Sequence, residues 1–307
     1  MSILVFGHKN PDTDTICSAI AYAELKGKLG KDVKAVRLGE INEETKFVLD
    51  YFKVEKPELI ESVSGKEIML VDHNERTQTA DGFEEAKVLE LVDHHRISNF
   101  NVDEPLYVRM EPVGCTATII LKLFKENNFL PSPTTAGLML SAIVSDTLLF
   151  KSPTCTGCDV KAGKELAEIA GVNVEEYGLE MLKAGTALGG KSESELINMD
   201  MKIFEVDGSK IGVAQVNTVN EAELLERKEK LLAEINDIIN KEGLKFFIFA
   251  ITNILSNDSI GIVAGDGNAV IEKAFNEKID NNLIALKGVV SRKKQIIPPL
   301  TKAIQEA

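Results

Sequence analysis

Four histidines and a handful of aspartates carry the chemistry open to this sequence. His8, Asp12 and Asp14 lie in GHKNPDTD, Asp72 and His73 in LVDHNE, Asp93, His94 and His95 in LVDHH, and Asp146 in AIVSDTLLF. The chain has only four histidines, and all of them fall in these segments. Imidazole nitrogens with carboxylate oxygens suit Mn²⁺, Fe²⁺, Co²⁺ or Zn²⁺, and a set without cysteine is not that of a structural zinc site. Carboxylates gathered in one buried pocket repel each other, and a bound cation removes that cost. Each residue also has a plainer reading. Asp12 and Asp14 precede an apolar run, where an aspartate can cap a helix. Asp72 and Asp93 suit turns at strand ends, and His73 taken alone reads as structural. Asp146, inside an apolar helix, requires a partner.

These residues must be positioned by alternating strands and helices. ILVFG (3–7) reads as a buried strand, followed by a helix over ICSAIAYAELKGKLG that stops at Gly30. KAV (34–36) is a weak strand, EETKFVLDYF is helical, and further strands end at Asp72 and Asp93. Such repetition means βαβ units and a parallel sheet, whose ligands bind at the carboxyl ends of the strands. Helices follow over CTATIILKLFKENN, TTAGLMLSAIVSDTLLF, VKAGKELAEIAG and EEYGLEMLKAG. Small and polar residues around 184–195 mark a linker, so the expected division is 1–187, a linker at 188–194, and 195–307. The second half opens with strands MKIFEV and KIGVAQV and continues with one long charged helix, VNEAELLERKEKLLAEINDIINKEG. LKFFIFAITNIL, SIGIVAG and VVSRKKQIIPPL complete a smaller α/β domain with a mixed sheet.

Composition narrows the class. The 307 residues carry a net charge of −13, which disfavours nucleic acid as a partner. No apolar run reaches the roughly 20 residues of a membrane span, and the start lacks the basic flank of a signal peptide, so a cytoplasmic protein without a membrane partner is expected. Cys155 and Cys158 form one isolated C-x-x-C and read as ordinary thiols. Against the acidic background, SRKKQ (291–295) is a local basic patch: either a phosphate clamp or the solvated lysines of an edge strand.

The segments GHKNPDTDTICSAIAYA, VDHNE, LVDHHR, PVGCTAT, SDTLLFKSPT and SRKKQIIP stand in this order along the chain. The first half resembles the DHH phosphoesterases, named for the motif seen here as Asp93-His94-His95, and the whole chain resembles the family II inorganic pyrophosphatases. That resemblance implies an N-terminal parallel-sheet DHH domain with helices on both faces and a smaller phosphate-binding domain. His8 and Asp12 would bind one metal, Asp14, His94 and Asp146 a second, and Asp72 both. His95 would face the substrate, and Lys202, Arg292 and Lys293 would hold its phosphate. Asp93 is expected to orient a ligand histidine through its other ring nitrogen. The resemblance further implies two Mn²⁺ or Co²⁺ per subunit, additional Mg²⁺ brought with pyrophosphate, and a homodimer. Two cations about 3.5–4 Å apart would activate a shared water as hydroxide for attack on pyrophosphate, between two domains that close.

Two rivals remain at this stage. Other DHH phosphoesterases, including polyphosphatases and nucleases, typically carry a glycine-rich GGGH-like motif in the second domain. Here that region offers GIVAGDGN, and no histidine follows residue 95. A non-catalytic, metal-dependent regulator is disfavoured because every expected ligand position is filled. The length leaves no room for an inserted pair of CBS modules, so no adenine-nucleotide control of that kind is expected.

Overall fold

In the computed structural model, residues 2–186, 188 and 190–306 are described. The chain divides into two units, Met1–Gly185 and Thr186–Ala307. The expected first-domain end at Ala187, and Gly189 of the expected linker, lie outside the described residues.

The first unit contains β1 (Ile3–Phe6), α1 (Thr13–Lys28), β2 (Val33–Arg37), α2 (Glu43–Tyr51), β3 (Glu58–Leu59), β4 (Glu67–Val71), β5 (Lys87–Asp93) and β6 (Tyr107–Met110). It continues with α3 (Thr116–Glu126), α4 (Pro133–Asp146), α5 (Gly157–Ala170) and α6 (Val174–Gly185). The strands form one six-stranded sheet of order β3-β2-β1-β4-β5-β6, parallel throughout. β3 and β6 were not expected. Both are short sheet-edge segments without a sustained apolar run.

Chain order reverses between β1 and β4, and doubly wound sheets open a crevice at such a point, outside the strand ends. α1 and α3 pack on one face of this sheet. Leu4, Phe6, Ile68, Leu70 and Leu91 point to the other, where Ala80, Phe83, Phe100 and Val102 cover them. The cover on that face is loops and two single 3₁₀ turns, Arg76–Gln78 and Phe83–Glu85, rather than α-helices.

The second unit contains α7 (Glu193–Asn198), β7 (Lys202–Val206), β8 (Ser209–Thr218), α8 (Glu221–Leu225), α9 (Lys228–Glu242), β9 (Phe246–Asn253), β10 (Asp258–Gly265), α10 (Asn268–Phe275), β11 (Leu283–Leu286) and α11 (Ile297–Gln305). Ser192 caps α7, so 192–194 of the expected linker are the cap and first turn of a helix. The sheet is mixed, with only β8 and β9 parallel in the order β11-β10-β9-β8-β7. β9 is buried on both faces. Phe247, Phe249 and Ile251 pack toward Leu231 and Ile235 of α9, whereas Phe246, Ile248 and Ala250 pack with Ile271 of α10 and Leu300 of α11.

One expectation and one alternative fail here. The single long helix over 219–243 is two, α8 and α9, broken at Arg227, whose guanidinium is tied to Glu193 and to the Lys191 carbonyl. The edge-strand alternative for SRKKQ is excluded: Arg292–Ile296 is a π-helical turn leading into α11. Ser291 caps the turn, and the prolines stand in the first turn of α11, where the missing N–H costs nothing.

Candidate metal centre

The central strands deliver their donors side by side. β1 runs out into Gly7 and His8, β4 into Asp72, and β5 ends on Asp93 before His94 and His95. Asp12 caps α1 by accepting from the Thr15 N–H at 2.9 Å, so the capping reading is right for it. The same carboxylate lies 3.3 Å from His8 Nε2, so capping and ligation are compatible uses of one residue. Asp14, in the first turn of α1, is fully buried and is fixed by Ser18 Oγ at 2.5 Å and the Thr116 N–H at 2.7 Å.

Asp72 occupies the middle. Its Oδ2 lies 3.5 Å from His8 Nε2, and its Oδ1 lies 3.4 Å from His94 Nε2. Thr15 and Thr116 each donate a hydroxyl hydrogen bond to one of these oxygens, at 2.7 and 3.1 Å, and lock the carboxylate plane. Its backbone φ of +59° is in the left-handed region, unusual for a residue other than glycine and typical of strained functional positions. His94 Nε2 also lies 4.0 Å from Asp14 and 3.8 Å from Asp146. His94 Nδ1 faces the Val113 carbonyl oxygen at 3.1 Å, which directs Nε2 toward the carboxylates.

Three donor groups result: His8 with Asp12 and Asp72; Asp72 with His94 and His95; and Asp14 with Cys115 and Asp146. Cys115 was not expected here. It is buried just before α3, inside PVGCTAT, and only the packing of α1 against α3 and α4 brings its thiol to the aspartates.

The protonation states fit a cation site. Burial, and then the Asp14 charge, push Asp72 up to about 7. Burial likewise raises Asp146, helped by Asp14 and Asp72. Burial opposes the charged form of His94, but the Asp72 hydrogen bond and the Asp14 charge outweigh it and raise it to about 9. Metal-free, the site therefore holds protons where a cation would replace them. Donor chemistry, spacing and unrelieved charge all suit divalent metal.

Asp93 holds a ring nitrogen of a histidine, as expected of it, and that histidine is His95. Its Oδ1 accepts from His95 Nδ1 at 2.9 Å, and Asn74 donates to its Oδ2 at 2.5 Å. It thus orients His95, while His94 is oriented by a backbone carbonyl. The Asp93 hydrogen bond also raises the pKa of His95, whose side chain is 52% exposed. His73 stands in none of the donor groups: Nδ1 meets the Val71 carbonyl, and burial lowers it to about 4. A cavity of about 370 Å³ opens beside Asp12, Asp72, His94, His95 and Asp146.

Asp146 is the last residue of α4, not an interior one, and the helix expected to run on through TLLF ends there. Leu148, Leu149 and Phe150 adopt φ values of 47°, 54° and 64°. Each such residue costs about 1–2 kcal/mol, so packing must hold the turn. A Cβ on Gly178 would stand 2.5 Å from Leu149 Cδ1, and one on Gly163 2.6 Å from the Phe150 ring. Alanine in a helix ordinarily gains up to about 1 kcal/mol over glycine, but overpacking costs about 1–3. Gly163→Ala is therefore expected to lower denaturant stability by about 1 kcal/mol and to weaken Mn²⁺ binding through Asp146. Gly157→Ala, in α5 with nothing within 4 Å, is the control expected to leave Mn²⁺ binding unchanged and not to lower stability.

In the second unit, the Arg292 guanidinium pairs with Asp200, Oδ2 at 2.9 Å, which sets it beside the start of β7 and Lys202. Lys202 and Lys293 are exposed, and neither has an ion pair among the described residues.

Comparison with known proteins agrees with this architecture. The N-terminal domain of the DHH family matches residues 2–143 and the DHHA2 domain matches residues 179–303. The chain is 59% identical over 304 residues to an Exiguobacterium protein named "Probable manganese-dependent inorganic pyrophosphatase", covering 98% of both chains. A Bacillus cereus protein of the same name is 56% identical, covering 99% of both. A crystal structure of a Methanococcus jannaschii protein assigned to the family II inorganic pyrophosphatases is 44% identical, covers 99% of this chain and 100% of that one, and superposes with a TM-score of 0.63. Identity of this extent over nearly the full length, with both domains matched in order, places the chain in the family of manganese-dependent, family II inorganic pyrophosphatases.

Proposed function

We propose that this chain hydrolyses inorganic pyrophosphate to two orthophosphates at a two-cation centre. One observation carries the reading: the two oxygens of Asp72 face two different sets of donors, His8 with Asp12 on one side and His94 with Asp14 and Asp146 on the other. His8, Asp12 and Asp72 would hold one cation, and Asp14, Asp72, His94 and Asp146 the other. A pair of divalent ions there would supply a water of lowered pKa and neutralise phosphoryl charge. Mn²⁺ is favoured by the names of the relatives. Co²⁺ suits the same donors, and Mg²⁺ suits pyrophosphate itself.

The side chains divide the remaining work. His95, held by Asp93 and kept basic, donates a hydrogen bond to a phosphoryl oxygen. Lys202, Arg292 and Lys293 of the second unit bind the leaving phosphate, Arg292 through a planar fork and the lysines as point charges. The proposed division of labour follows the two units, with residues 1–187 carrying metal and 195–307 carrying phosphate contacts. A homodimer through the first sheet is supported by β6, an edge strand that exposes Tyr107 and Val108. No helix among the described residues is long and apolar enough to cross a membrane, and a cytoplasmic location is proposed with it.

The test is phosphate release by metal-stripped protein given back Mn²⁺, Co²⁺, Zn²⁺ or Mg²⁺ alone. Turnover of pyrophosphate is expected with Mn²⁺ or Co²⁺ and none of a nucleotide diester. Preference for the diester would reverse the assignment.

A further inference from the structure

We propose that Asp159 is a positioning residue for the half of the centre built on His94 and Asp14, acting through the turn that precedes α3. The inference rests on the two-cation reading above. Asp159 stands in none of the donor groups, yet it is fully buried at the start of α5. Its Oδ2 accepts from the Thr156 N–H at 2.8 Å and hydroxyl at 2.6 Å, which is ordinary capping within its own helix.

Two further bonds leave that helix. Oδ2 also accepts the Gly114 N–H at 2.9 Å, and Oδ1 accepts the Thr118 hydroxyl at 2.6 Å. Helix capping does not require either one. Together they pin both ends of the segment Gly114–Thr118.

That segment aims three metal donors. Val113, one residue before it, offers the carbonyl that orients His94. Thr116 gives its N–H to Asp14 and its hydroxyl to Asp72. The fit leaves no slack, since a Cβ on Gly114 would lie 2.9 Å from both Asp159 Oδ2 and Thr147 Cγ2. His8 and Asp12 depend on none of these contacts: they are set by β1 and by the cap of α1. Asp72, shared by both halves, is also held by Thr15 on its His8 side, so loss of Asp159 should loosen the His94 half more than the other.

The experiment is Mn²⁺ titration of metal-stripped Asp159→Asn, which keeps the shape but replaces one acceptor oxygen by a donor. The unsubstituted chain is expected to show two binding steps, and the step that vanishes in His94→Ala belongs to the His94 half. In Asp159→Asn that step should weaken about 10- to 100-fold, the range for residues that orient ligands, and the other step by clearly less. If Asp159→Asn does not fold, Thr118→Val removes one pinning bond at nearly constant volume, and a smaller loss, again greater at that step, is expected. An equal loss at both steps, or no loss at either, overturns the inference. Failure of the unsubstituted chain to bind Mn²⁺ overturns the two-cation reading and the inference with it.

Discussion

Asp72→Asn should lower phosphate release from pyrophosphate at least about 10³-fold, the scale on which a single preorganised electrostatic element is lost. Asp72 alone among the acidic residues puts one oxygen toward His8 and the other toward His94. An amide keeps one of those oxygens and turns the other into a donor, which no cation accepts. Binding should fall from two Mn²⁺ to one per chain. Asparagine is the right substitution because it tolerates the left-handed backbone, here φ +59°, about as well as aspartate. Alanine would mix strain with lost ligation. The metal-free variant should gain stability, since burial and Asp14 disfavour the charge at this position. Lost activity with a raised metal-free melting temperature separates ligation from folding. Activity within tenfold of the unsubstituted chain, with two Mn²⁺ still bound, would remove Asp72 from the bridging position.

The candidate site residues were legible in the sequence because their placement is short-range. A strand of a parallel sheet ends at the crevice, so His8, Asp72, His94 and His95 needed only their strands to be recognised. Asp12 and Asp14 needed only the first turn of α1. What hides from sequence is the set of contacts made across the packed layers. Gly114 meets Asp159 across 45 residues, and Thr116 meets Asp14 across 102. No local pattern records either pairing. Which histidine Asp93 orients is hidden for a related reason: it depends on how the chain leaves β5.

The errors in elements also have physical causes. TLLF continues the apolar pattern of α4, and periodicity alone extends the helix. The chain instead turns left-handed there, because Leu149 and Phe150 find slots over Gly178 and Gly163. Ending the helix at Asp146 frees that carboxylate to face His94. β6 was missed because only its edge position, with Tyr107 and Val108 exposed, makes it a strand. The edge-strand alternative for SRKKQ fails because Ser291 caps a helical turn there and Arg292 docks on Asp200.

Metal removal should make the chain least stable where a Mn²⁺-bound enzyme is most stable. In the metal-free protein, Asp72 stands at about 7 and Asp146 is also raised, against an ordinary value of 3.8. A carboxyl with a raised folded pKa stabilises as the protonated form, fully below about 4, and loses that contribution as pH rises through its folded pKa. His94, raised to about 9 from 6.5, adds stability in full below 6.5 and loses it as pH rises through 9. All three groups point the same way, so the metal-free melting temperature should fall between pH 5 and pH 8. Below that window Asp93 and Asp159, whose carboxylates are held lower, reverse the trend. Mn²⁺ binds the deprotonated donors, so its affinity rises over the same interval and protons are released on loading. At a free concentration 100 times the dissociation constant each site contributes about 2.7 kcal/mol, roughly 5–10 °C for a unit of this size. Melting curves with and without Mn²⁺ should therefore diverge steeply from pH 5 to pH 8. Calorimetry in buffers of different ionisation enthalpy should register at least one proton released per chain at neutral pH. Parallel curves, or loading without proton release, would mean that the aspartates and His94 already stand in their metal-binding forms before the cation arrives.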